Sequence, residues 1–196
     1  MTLTAPRIEP LPPDDPNAST RTLGSDRNGG RPLNIFLTLA KNPSLYDAFT
    51  KLGTHLLFKG GVPAREREIV ILRVGRQSQS EYEFGQHTVI GLAAGLTDDE
   101  ITRLARESLD GWSDDDAALI RMADELCADN VVADETWQSL STRWKEPELL
   151  ELLMLAGFYR LVSGLLNSAG VALEPSTPGW PAGVGDVRRA PREASQ

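Results

Sequence analysis

Capping residues, prolines and glycines divide the chain into segments whose apolar positions recur with helical period. Asn42-Pro43 places a cap before a proline at the first helical position, and the helix it opens runs to about Phe58. Gly60-Gly61 ends it and Pro63 opens the next. Thr97 with Glu100 forms a capping box before ITRLARES, and Ser113 with Asp116 resembles one before AALIRMADELC. Asp134 is placed to cap ETWQSLSTRW. Pro147 starts the last helix, which Gly170 can stop, and the stretch to Ser168 is apolar almost all round. Such a helix lies centrally in a core or between subunits, and a subunit interface is expected in part. The segment EIVILRV (68–74) is rich in β-branched residues and taken alone reads as a buried strand. No second strand candidate exists to pair with it, so a buried helix and an all-α fold are expected.

Proline sets the outer limits of the folded body. Six of the thirteen prolines fall in residues 1–32 and four in residues 174–196. Neither stretch carries a repeating apolar face. Both read as flexible arms, or as segments ordered only against a partner subunit, around a helical domain at 33–173. Twenty basic against twenty-eight acidic residues give a formal charge of −8, which disfavours nucleic acid and anionic membrane as partners. A single cysteine, Cys127, allows no intramolecular disulfide and no dithiol couple. It lies on the apolar face of AALIRMADELC, where an inert core thiol is expected. The N-terminus lacks the apolar core of a signal peptide, and a soluble, cytoplasmic protein is expected.

The candidate chemistry lies in SQSEYEFGQH (78–87). At about 100° per residue, Ser80, Glu83 and His87 share one sector of a helix, amid apolar surface from Tyr82, Phe84, Val89 and Ile90. Polar groups converging in an apolar surround suit acid–base work, because burial and neighbours move a pKa toward neutrality. Ser80-x-x-Glu83 is equally a capping box, so a structural role competes with the functional one on these residues alone. Glu68 directly precedes the run IVILRV, and a carboxylate carried into the core there needs a partner.

Glu68, Ser80, Glu83 and His87 together have the spacing E-x11-S-x2-E-x3-H. This resembles the motif of the carboxymuconolactone decarboxylase and alkylhydroperoxidase D-like superfamily, whose peroxidase branch has cysteines at the serine and second glutamate positions. The likeness is specific over residues 60–105 and looser over 33–173. It implies an all-helical, trimeric or hexameric protein. With both cysteine positions occupied by Ser80 and Glu83, a thiolate peroxidase mechanism is disfavoured, and Glu83 is similar to the decarboxylase branch. The resemblance implies a cofactor-independent lyase acting on a carboxylated lactone or keto-acid-like substrate. In that reading His87 moves the proton, Glu83 orients the imidazole and Glu68 tunes its charge. Ser80, Tyr82 and Arg73 (or Arg76) are the candidates for substrate contact. A metal held by Glu68, Glu83 and His87 is a weaker reading, since the common ligand spacings are missing. The alternatives are a peroxidase-like oxidoreductase and a non-catalytic helical oligomer that binds a small ligand. Arg160, Ser163 and Asn167 form a polar stripe expected at a subunit interface, and His55 is expected to pack at the edge of the first long helix.

Overall fold

A computed structural model describes residues 5–19, 24–106 and 108–184. The described residues form helices and no strands: α1 (Pro16–Ser19), α2 (Asn34–Leu39), α3 (Pro43–Phe58), α4 (Ala64–Gln77), α5 (Glu81–Ala93), α6 (Asp98–Ala105), α7 (Asp114–Asp129), α8 (Asp134–Arg143) and α9 (Glu146–Ala169), with a short 3-10 turn at Ser25–Arg27. The β-branched run is the centre of this bundle. Ile69, Val70, Ile71, Leu72 and Val74 on α4 are all at most 1% exposed, and α4 packs against α5, α6, α7 and α9. Burial on every side explains why no amphipathic period is legible there: a helix surrounded by helices has no polar face to show.

Most caps form where the sequence places them. Asn42 Oδ1 accepts from Leu45 N at 3.2 Å, and Thr97 with Glu100 makes both bonds of the capping box. Ser113 Oγ accepts from Asp116 N at 3.2 Å, but the Asp116 carboxylate turns to Arg65 instead of completing a box. Asp134 is not the cap of α8. Ala133 holds that position and Asp134 is the first helical residue, where its charge meets the positive end of the helix dipole.

The apolar last helix divides between two environments. Leu149, Leu152, Leu155, Ala156, Val162 and Leu166 are buried, whereas Leu150, Met154 and Leu161 are more than half exposed. By length and composition α9 is apolar enough to cross a membrane, yet half of its most apolar window is buried inside the fold, as in the core helix of a bundle. The polar stripe of α9 faces inward, contrary to the interface expected for it. Arg160 Nη1 donates to Leu126 O and to Asn130 Oδ1, both at 2.6 Å, Ser163 is fully buried, and Asn167 Nδ2 donates to Ser78 O at 2.9 Å. Its i, i+3, i+7 spacing gives the direction of a face and not what lies opposite it. His55 is exposed on α3 beside Lys51 and Lys59.

Both arms continue the packing beyond the limits drawn by proline. The amides of Arg7 and Ile8 donate to Ala169 O at the end of α9, Leu11 N donates to Leu37 O, and Ala18 is fully buried. On the other side, residues 173–184 lie as a strap along α5. Trp180 stacks at 4.9 Å on Phe84, and the Arg76 guanidinium lies 5.3 Å from the Trp180 ring. The strap runs so close to α5 that a Cβ on Gly85 would stand 2.1 Å from Pro178 O, a contact that only glycine permits. Residues 1–4, 20–23 and 185–196 of the arms lie outside the described residues.

Candidate active site

Two antiparallel helices assemble the site. The chain reverses tightly between α4 and α5, with Gln79 in the left-handed region (φ 51°), and this returns α5 along α4. A carboxylate near the start of α4 therefore meets an imidazole on the second turn of α5, nineteen residues later. His87 Nδ1 stands 2.6 Å from Glu68 Oε2, and His87 Nε2 stands 3.1 Å from Glu83 Oε1 on its own helix. Glu68 is fully buried, and Glu83 and His87 are 4% and 5% exposed. Each ring nitrogen thus faces its own carboxylate away from bulk water. Tyr159 of α9 closes the ring's flank edge-on, with centroids 4.9 Å apart.

The capping and functional readings of SEYE divide between its residues. Ser80 Oγ accepts from Glu83 N at 3.4 Å and is the N-cap of α5, so the serine is structural. The Glu83 side chain does not return to the cap; it goes forward to His87. A pair that sequence alone reads as one motif serves two purposes.

Burial is the largest influence on the imidazole and acts to lower its pKa, but the charges and hydrogen bonds of Glu68 and then Glu83 outweigh it. The net result raises His87 from 6.5 to about 9. At neutral pH the ring is an imidazolium that donates from both nitrogens. Such a group is poised as a proton donor, and becomes a base only after giving one proton away.

His87 and Glu83 open on a cavity of about 120 Å³ enclosed by α2, α3, α5 and α9. Leu33, Ile35, Phe36, Phe49, Leu57 and Phe158 make most of its wall apolar, and Tyr82, Gln86, Thr50 and Thr54 add polar atoms. Glu68 is not part of the wall, which puts it behind the imidazole as seen from the cavity. The Nε2–Glu83 side of the ring is the side an occupant meets.

The residues expected to contact substrate are mostly elsewhere. Arg73 is buried, and its Nε and Nη2 donate to the two carboxylate oxygens of Asp124 at 2.5 and 2.8 Å, with Nη1 on Leu104 O. It ties α4 to α7 and does not border the cavity. Arg76 lies under Trp180. Ser80 is fully buried outside the wall. Tyr82 does border the cavity, but its hydroxyl donates to Glu174 Oε1 at 2.8 Å and accepts from Ile35 N at 3.3 Å. Burial, together with the Glu174 carboxylate, holds that phenol protonated well above its ordinary range. The sequence reading did not single out Gln86 and Glu174, nor the aromatic wall from α2 and α3. Glu174 sits among prolines in a stretch without periodicity, and nothing local marks it as a residue of the core.

Among the described residues no group of three or more His, Cys, Asp or Glu side chains is arranged to hold a metal ion. Cys127 lies outside the cavity wall, and burial raises its thiol pKa, which makes the thiolate scarce at neutral pH.

Comparison with known proteins agrees with this architecture. Residues 43–124 match the carboxymuconolactone decarboxylase family. The fold is similar to an uncharacterized peroxidase-related protein with an alkylhydroperoxidase AhpD core from Ralstonia eutropha JMP134, at 22% identity and a TM-score of 0.72 over 84% of this chain and 87% of that one. It is also similar to the debrominase Bmp8 in complex with 2,3,4-tribromopyrrole, at 16% identity and a TM-score of 0.73 over 86% and 91% of the two chains. A peroxidase-related protein from Silicibacter sp. TM1040 matches at 16% identity with a TM-score of 0.68 over 87% and 90%. No curated protein matches the chain at a significant level. Residues 43–124 thus carry the match to the carboxymuconolactone decarboxylase family, and the helical fold as a whole is that of AhpD-like proteins.

Proposed function

We propose that the protein is a cofactor-independent lyase that removes a carboxyl group from a small lactone or keto-acid-like substrate, with His87 as the proton donor at carbon. The observation that carries this reading is the imidazole bracketed by two carboxylates at the wall of an apolar cavity. A substrate carboxylate seated against apolar walls loses hydration, and its conversion to neutral CO2 relieves that cost. The C–C bond breaks, CO2 departs, and the electron pair stays on carbon, delocalised onto a conjugated carbonyl of the substrate. The Nε2–H of His87 then turns from Glu83 to that carbon, and a proton from water restores the imidazolium. Glu83 orients the ring, and Glu68 holds its charge from behind. A cavity on this scale suits a single small ring, and the debrominase of similar fold forms a complex with one, 2,3,4-tribromopyrrole.

A peroxidase-like reading has less support, although two fold neighbours are described as peroxidase-related. Serine and glutamate stand where a thiol pair would act, and Cys127 is elsewhere. The test is a panel of small lactones and keto acids incubated in D2O. We expect CO2 release with one deuterium placed on the decarboxylated carbon, insensitive to thiol alkylation. Turnover lost on alkylation of Cys127 would overturn the reading.

We further propose that the protein works in the cytoplasm as a trimer or hexamer, with copies meeting on α9. Leu150, Met154, Gly157, Leu161 and Gly164 recur at helical spacing on its outer face, and a Cβ at either glycine would meet nothing within 4 Å. An apolar stripe lined by glycines admits another helix closely. Light scattering should give a multiple of the 21.4 kDa chain mass, and Leu161→Arg should reduce it to one chain.

A further inference from the structure

Gln86 is a polar residue of the cavity wall that proton transfer from His87 leaves unused. Its amide nitrogen Nε2 donates to Glu174 Oε2 at 2.5 Å and to Thr177 Oγ1 at 3.2 Å. An ionised carboxylate only accepts, so the NH2 end of the amide is held on the strap and the amide cannot be turned round. Glu174 is 3% exposed and is itself fixed, because Asn34 N donates to it at 2.7 Å and the Tyr82 hydroxyl at 2.8 Å. The remaining polar atom of the amide, Oε1, accepts no hydrogen bond from the described residues. Gln86 is 7% exposed and lines the cavity, so its free carbonyl oxygen is placed to accept from a donor on whatever fills that space.

We propose that Gln86 Oε1 selects the substrate through a hydroxyl or N–H group, and that Glu174 is the positioning residue that keeps this oxygen presented. The inference rests on the acid–base reading of the same cavity and narrows its substrate class. Gln86 and His87 are adjacent on α5, so the wall offers an acceptor beside a proton donor. A small enol, phenol or azole that also carries the departing carboxyl group meets both. A second carboxylate in the place of that donor would meet the Gln86 oxygen with no proton to offer it.

Two probes of equal shape separate the possibilities without any turnover: phenol and toluene, titrated into the 15N-labelled full-length protein and followed by NMR. In a cavity offering no acceptor, toluene binds more tightly, because an unpaired buried hydroxyl is costly. The proposal expects phenol to bind about fivefold more tightly than toluene, the gain of one hydrogen bond. Gln86→Leu, with Gln86→Met as a second variant, should reverse that order. Glu174→Gln frees the amide to turn, and should narrow the phenol preference while leaving toluene affinity as it was; a merely structural role would weaken both ligands together. Toluene binding as tightly as phenol in the unaltered protein overturns the proposal. So does a phenol preference that survives loss of the Gln86 amide, or failure of both probes to bind. Because these outcomes are read by binding, they leave the His87 chemistry to stand or fall on the D2O experiment.

Discussion

Turnover by the His87→Ala protein is expected to fall by roughly 10²–10⁴-fold, the range that a positioned general acid contributes. The substrate for this measurement is whichever lactone or keto acid releases CO2 in D2O. The same substitution removes the cation between Glu68 and Glu83, two carboxylates at most 4% exposed. Deleting one partner from such a buried cluster costs about 3–5 kcal/mol, so the variant should also melt well below the parent. His87→Gln separates the two effects. Its amide can still donate to one carboxylate and hold the fold, but it has no proton to transfer. Activity retained by the folded glutamine protein would contradict the proton-donor role. Adding Glu68→Gln to His87→Ala should recover part of the lost stability and none of the lost activity, since Glu68 lies behind the ring and outside the cavity wall.

Stability should fall as the pH rises from about 6.5 to beyond 9. Burial opposes the charge on His87, but Glu68 and Glu83 together hold its folded pKa at about 9, above the 6.5 of the unfolded chain. For a group raised on folding, the stabilisation is fully present below the unfolded pKa and is lost as pH passes through the folded one. A shift of this size corresponds to a loss on the order of 3 kcal/mol across that window. Denaturant midpoints at pH 6 and pH 9.5 measure it, and the His87→Gln protein should lose much less between the same two conditions. The catalytic rate should follow the same limb, holding through neutrality and falling above pH 9. A rate that climbs as an imidazole deprotonates near 6.5 would identify a base instead.

The helical fold was legible because each helix is bounded by residues with a local physical effect. Asn42, Thr97, Ser113 and Gly170 act on the backbone within a few residues of themselves, and each does so in the structure. Even α4, whose β-branched run reads as a strand in isolation, was recoverable by elimination, since no partner strand exists for it. Asp134 shows the precision of such reasoning: the helix start was placed within a residue and the cap was not. Within the site, Glu83 and His87 share a helix and their spacing alone puts them together. Glu68 required the antiparallel return of α5 along α4, which the motif spacing carries and no local rule does.

What the sequence hid depends on contacts between distant segments. Arg73 was legible as a buried or functional base, but its pairing with Asp124, fifty-one residues away, decides between those roles. The aromatic wall from α2 and α3 comes from side chains that any amphipathic helix would carry. Glu174 lies in a proline-rich stretch with the composition of a tail, and only Asn34, Tyr82 and Gln86 together make it a buried acceptor. Composition described how those residues behave alone, and the strap is held by what it meets.

The central claim is that one imidazole is kept charged by two buried carboxylates at the edge of a largely apolar cavity. NMR of the protein with 15N-labelled histidine tests it directly, with His87→Gln assigning the signal. The account predicts that both His87 ring nitrogens are protonated at pH 7 and lose a proton only near pH 9. A His87 ring that is neutral at pH 7 and titrates near 6.5 would contradict it.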